Sequence, residues 1–148
     1  MEEIKFSDGR TSEWWGYNDY FCFDPNFDKK ILLPYKGETA FGDSYHNLII
    51  DSKTISGYIW SGYLLWSKCG NYFTCDWCEG MKGEFVNNVW HSTQIQRATI
   101  VVSPKKLKYR IVVRPSHEEL DALRREGKEN DFWDYLIKPK WRIWKNFR

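Results

Sequence analysis

The chain has 148 residues and a mass of 17.8 kDa, the size of one ordinary domain and enough to bury a core without disulfides or a metal. Lys+Arg 22 against Asp+Glu 20 leaves a net charge of +2, too small a bias for a protein that coats DNA by charge alone. No run approaches the roughly 18 apolar residues of a membrane span, and no basic-then-apolar signal opens the chain, so a soluble, cytoplasmic protein without a membrane span is expected.

The aromatic content stands out: 9 Trp, 9 Tyr and 9 Phe make 18% of the chain, yet mean hydropathy is -0.65. These rings therefore sit among polar and charged neighbours. Charge is also uneven. Residues 1–97 carry 9 Lys/Arg and 13 Asp/Glu, whereas residues 98–148 carry 13 and 7. Such asymmetry marks a partner-binding end, or a basic end that docks on the acidic one.

In chain order, the first 45 residues interleave rings with turn formers, as in Trp14-Trp15-Gly16-Tyr17 and Asp24-Pro25-Asn26. Ile31-Leu32-Leu33 and Leu48-Ile49-Ile50 are short apolar runs suited to buried strands. A local duplication follows, Ser56-Gly57-Tyr58-Ile59-Trp60 and Ser61-Gly62-Tyr63-Leu64-Leu65-Trp66, where the second Ser-Gly predicts a hairpin or a kinked strand. Arg97–Val102 and Leu107–Arg114 flank Ser103-Pro104-Lys105-Lys106, with Pro where a type I turn prefers it. Leu107, Tyr109, Ile111 and Val113 alternate with Lys108, Arg110, Val112 and Arg114, which predicts a hairpin with one buried face and one basic, outward face.

After Pro115 the period changes. Ser116-His117-Glu118-Glu119 reads as a capping box, and Gly127 as the left-handed end of that helix. Asn130 or Asp131 can cap a second helix bearing Phe132, Trp133 and Leu136, ended by Pro139. Trp141, Trp144 and Phe147 then recur every third residue among cations, as a further short helix would. The expected fold is a single α+β domain over residues 1–148. An antiparallel sheet of several short strands fills a strand-rich part, 1–114, and two or three short helices fill 115–148.

Three sets of residues bear on chemistry. Cys69, Cys75 and Cys78, with His91 beyond them, offer thiolate and imidazole ligands for a Cys3His zinc site, with Cys22 in reserve. A lone C-x2-C is an incomplete signature, so zinc competes with four structural thiols and no cofactor is the leading expectation. Arg97, Lys105, Lys106, Lys108, Arg110 and Arg114 along the hairpin suit a nucleic-acid backbone, with a solvated strand face as the plainer reading. Trp14, Trp15 and Tyr17 near the start, and Trp141, Arg142 and Trp144 near the end, suit a protein interface.

Signals for catalysis are weak. The linear hydrolase, nucleotide-binding and metalloprotease motifs are absent. Asp51-Ser52-Lys53 mimics the acid-x-Lys end of a metal-dependent nuclease strand, with Asp43 as the second acid. His91-Ser92-Thr93 resembles half of the paired signature of two-histidine phosphoesterases, but His46 and His117 lack the matching threonine. His46 borders a strand and reads as structural.

The sequence therefore points away from catalysis and toward a small inhibitor. It would be a bacterial immunity protein or a phage protein that blocks a host enzyme, binding a toxin or that enzyme through aromatic and basic residues. The alternatives are a zinc-stabilised nucleic-acid binder using the hairpin 97–114, and a nuclease or phosphoesterase without linear motifs.

Overall fold

Alternation of apolar and polar residues governs most of this chain, and strands are the result. A computed structural model describes residues 1–7, 10–39, 42–112, 122, 125–137 and 143–148, and more than half of these are in strands. The first sheet orders its strands β1 (Glu2–Glu3), β4 (Tyr20–Phe23), β5 (Lys30–Leu33), β8 (Ile49–Ile50) and β9 (Lys53–Thr54). Only β1–β4 in this sheet is parallel. Cys22 lies opposite Ile31, and Ile31 opposite Ile50, so one face of the sheet is apolar.

The second sheet runs β16 (Lys145–Asn146), β15 (Lys108–Val112), β14 (Ala98–Ser103), β11 (Phe73–Cys78), β10 (Tyr58–Trp66), β3 (Thr11–Glu13) and β2 (Phe6–Ser7). On its flank β7 (Ser44–His46) pairs with both β10 and β6 (Tyr35–Glu38). The duplicated stretch 56–66 resolves as the kinked strand: β10 is continuous but shifts register between Trp60 and Leu65, with Gly62 at φ +70. Gly is needed there, because a Cβ would meet the Trp14 carbonyl oxygen at 2.7 Å.

The two sheets enclose one apolar cluster. Cys22, Ile31, Leu33 and Ile50 from the first meet Ile59, Leu64, Trp66, Phe73, Cys75, Ile100, Val102 and Tyr109 from the second. The opposite face of the second sheet carries a smaller cluster, Tyr63, Leu65, Val101 and Val112, covered by Trp133 and Leu136 of α1 (Glu129–Ile137). The layers are sheet, sheet and the covering helix α1. Two apolar layers absorb much of the aromatic content: Trp14, Trp66, Trp77, Trp133, Tyr20, Tyr63 and Tyr109 are all buried.

The α+β expectation with C-terminal helices is therefore overturned; the fold is β in class, and the helix is a cover on one sheet face. The chain's end shows why. Trp144 and Phe147 stand three apart, which suits a helix, but Lys145–Asn146 pair with Lys108 and Tyr109 as a strand. In an extended chain a spacing of three sends side chains to opposite faces. Phe147 packs on Tyr109 in the inner cluster, and Trp144 packs on the outer one. Gly127 is left-handed, at φ +73. The capping box 116–119, Pro139, Val113 and Arg114 lie outside the described residues.

No helix among the described residues is long and apolar enough to cross a membrane.

Candidate functional site

β12 (Gly80–Val86) and β13 (Val89–Ile95) pair with each other and, among the described residues, with no other strand, so they form a sheet of their own. Their sequence builds the hairpin locally. Asn87 and Asn88 take φ +51 and +62, the pair of left-handed residues that a two-residue type I′ turn demands and that asparagine tolerates best after glycine. Val86 and Val89 flank the turn, and Phe85 faces Trp90 directly across the ladder. Those rings meet edge to face at 5.0 Å, a pair contributing about 0.5–1.5 kcal/mol beyond its area. Trp90 also lies across Gly83, where a Cβ would overlap the indole.

The hairpin is thus ordered by its turn and its own rings, while those rings stay in solvent. Phe85 is 72% exposed and Trp90 57%, with Val86, Val89 and Ile95 also exposed. The other face of the ladder is mixed: Glu84 opposite His91 and Lys82 opposite Thr93 lie between the Val86–Val89 pair and Ile95. Sequence reading passed over Phe85 and Trp90. The Asn-Asn pair between Phe-Val and Val-Trp was the signal that could have found them.

No protein-family model, curated protein or solved structure matches this chain.

The residues expected at a protein interface divide. Trp15 is 89% exposed and Tyr17 half exposed, with the Tyr17 hydroxyl donating to the Gly42 carbonyl at 2.8 Å. Trp14 is no anchor: it is 4% exposed and belongs to the core. Trp144 is half-buried and packs beside Tyr72, at 6.3 Å between ring centres. Trp141 and Arg142 lie outside the described residues.

The basic hairpin is present but does not present its cations together. Residues 98–103 and 108–112 pair as expected, with Ser103 opposite Lys108. Lys105, Lys106 and Lys108 are exposed, and Arg97 is exposed over the Trp60 ring at 4.9 Å. Arg110 is the correction. It is buried, its Nη1 donates to the carbonyls of Leu136 and Ile137 at 3.1 and 3.3 Å, and its guanidinium lies 4.5 Å from the Trp144 ring centre. The face read as outward is the one that α1 covers, and Val112 is buried with it. The neighbouring Arg114 lies outside the described residues.

The cysteines are also set apart. Cys75 and Cys78 occupy one continuous strand at a spacing of three, so Cys75 enters the inner cluster and Cys78 points the other way. A strand cannot close that pair on one ion as a turn would. Cys69 is exposed in the turn before the strand, and His91 is exposed on the hairpin. No three metal-binding side chains gather among the described residues. Burial pushes the Cys75 thiol well up, and the Cys78 thiol up to about 11 despite the nearby Arg97. Burial likewise raises Cys22 to about 12. These three thiols are protonated core residues.

Asp51-Ser52 is a turn rather than the end of a catalytic strand. Both residues are left-handed, at φ +52 and +63, linking β8 to β9, and the Asp51 carboxylate is paired with Lys29.

Proposed function

We propose that the chain is a small protein-binding module of the inhibitor class, non-catalytic, which engages its partner by placing the hairpin 80–95 in a cleft. A toxin or a host enzyme is the partner class that its sequence suggests, and four free thiols suit a reducing cytoplasm. One observation carries this reading: the hairpin is held by its own turn and cross-strand rings, yet leaves Phe85 and Trp90 exposed on a strand pair that, among the described residues, no other strand extends. An isolated strand pair gains little for the fold by exposing two large rings. A preordered aromatic pair gains affinity because little ordering remains to be done on binding. Trp15 and Tyr17 offer a second, smaller contact.

Phe85→Ala/Trp90→Ala tests the reading. Wild-type and variant chains, immobilised alike, are challenged with lysate from the source organism, and affinity is then measured on the recovered partner. Loss of two anchor rings should weaken binding at least about thirtyfold, equivalent to about 2 kcal/mol. The melting temperature should move by no more than about 6 °C, because the pair contributes about 0.5–1.5 kcal/mol and neither ring belongs to a core cluster. Gly83→Val, which evicts Trp90 from its seat without removing a ring, should weaken binding in the same direction. A partner held equally well by wild type and double variant would refute the proposal.

A further inference from the structure

The turn between β14 and β15, the C-terminal end of α1 and the last residues of the chain border a partly open cavity of about 170 Å³. Its walls are of two kinds. Tyr72, Ile137 and Trp144 supply an apolar, largely aromatic side, while Ser103, Lys106 and Lys108 supply a polar and cationic one. Among the described residues two lysines and no carboxylate line it, so its cationic side is positive. A wider groove, bounded by Lys68, Asn130, Trp133 and Asp134, adjoins it and shares Tyr72 and Ile137.

We infer that this cavity binds a small ligand made of one flat apolar ring joined to an anionic head, a carboxylate or a phosphate. Tyr72, Ile137 and Trp144 suit a ring, and the volume has room for one, since about 150 Å³ accommodates benzene. Charge sets the head, since Lys106 of the turn and Lys108 at the start of β15 line a space that already holds an apolar wall. The C-terminal end of a helix would ordinarily repel an anion through its exposed carbonyls. Here Arg110 donates to the carbonyls of Leu136 and Ile137 and neutralises that end. The same guanidinium stacks on Trp144 and fixes the aromatic wall before any ligand arrives, which limits the ordering cost of binding. The site is separate from the hairpin and does not depend on its role.

The test is a residue-resolved NMR titration of the full chain with phenyl phosphate and with benzoate, alongside phenol and inorganic phosphate as half-ligands. At least one ring-bearing anion should bind saturably with Kd about 1 mM or below, the range expected of about ten non-hydrogen atoms. The shifts should centre on Tyr72, Lys106, Lys108 and the Trp144 indole N–H. Comparing the two anions identifies the head. Phenol and inorganic phosphate should each bind at least about tenfold more weakly, and Lys106→Ala/Lys108→Ala should weaken the ring-bearing anion by a similar factor. Both lysines are exposed, so that variant keeps the fold. Phe85→Ala/Trp90→Ala should leave this binding unchanged. The inference is overturned if neither anion saturates by about 20 mM, if inorganic phosphate binds as well as phenyl phosphate, or if removing both lysines changes nothing.

Discussion

Arg110→Ala is expected to destabilise the protein by about 3 kcal/mol, lowering its melting temperature by roughly 6–12 °C. The side chain is a buried cation whose donors satisfy the final carbonyls of α1, and whose plane supports Trp144. Alanine removes those bonds, leaves the carbonyls of Leu136 and Ile137 without that donor and opens a void under Trp144. The consequence reaches beyond one residue, because Trp133 and Leu136 cover Val101 and Val112 only while the helix stays docked. Arg110→Met, which keeps most of the stem, should recover part of the loss. Lys108→Ala, two residues away on the same strand but exposed, should fall within about 0.5 kcal/mol of wild type. Urea unfolding of the three variants measures all of this, and equal midpoints for Arg110→Ala and Lys108→Ala would show that Arg110 does not hold the helix.

The same residue shows where sequence reading stops. Period-two alternation over Leu107–Arg114 predicts a strand in a hairpin with Arg97–Val102, and 108–112 does pair with 98–103, because alternation is a property of the strand itself. Whether the basic side meets water or a helix depends on an element more than twenty residues away, which local pattern does not encode. Residues three apart mislead for a related reason. Trp144 with Phe147, and Cys75 with Cys78, have the spacing of a helix face and of a chelating turn, but in extended chain each pair is split between two faces. The ring-rich composition was equally ambiguous. Two apolar clusters on the two faces of one sheet take up Trp14, Trp66, Trp77 and Trp133, so an aromatic surplus need not be a surface. The hairpin 80–95 was the most legible feature that went unread, since its turn and its cross-strand ring pair are both local.

Trp14→Ala should cost about 3–5 kcal/mol and unfold a large share of the chain near its working temperature, rather than weaken a surface contact. Trp14 closes a buried aromatic group: its ring lies edge-on to His46 at 5.6 Å and beside Tyr20 at 6.3 Å, with Tyr20 and Tyr35 each 5.9 Å from His46. The hydrogen bonds fix the proton on the imidazole. Trp14 Nε1–H can only donate, so His46 Nε2 accepts it at 3.2 Å, with the Ser44 hydroxyl 2.9 Å away. His46 Nδ1–H then donates to the Leu33 carbonyl at 3.0 Å. Protonating Nε2 would set two N–H groups against each other in the core. Burial holds the imidazole below its ordinary 6.5, although the Leu33 carbonyl and Asp19 pull it upward. A base whose folded value is lowered contributes stability in full above the unfolded value, and that stability is lost as pH falls below about 6.5 toward the folded value. The loss reaches at most about 1.4 kcal/mol per pH unit. Urea midpoints between about pH 7.5 and 5 should therefore fall with acid in the wild type, before most carboxylates titrate. The fall should be shallower in His46→Gln, and parallel slopes in the two proteins would assign the acid sensitivity to some group other than His46.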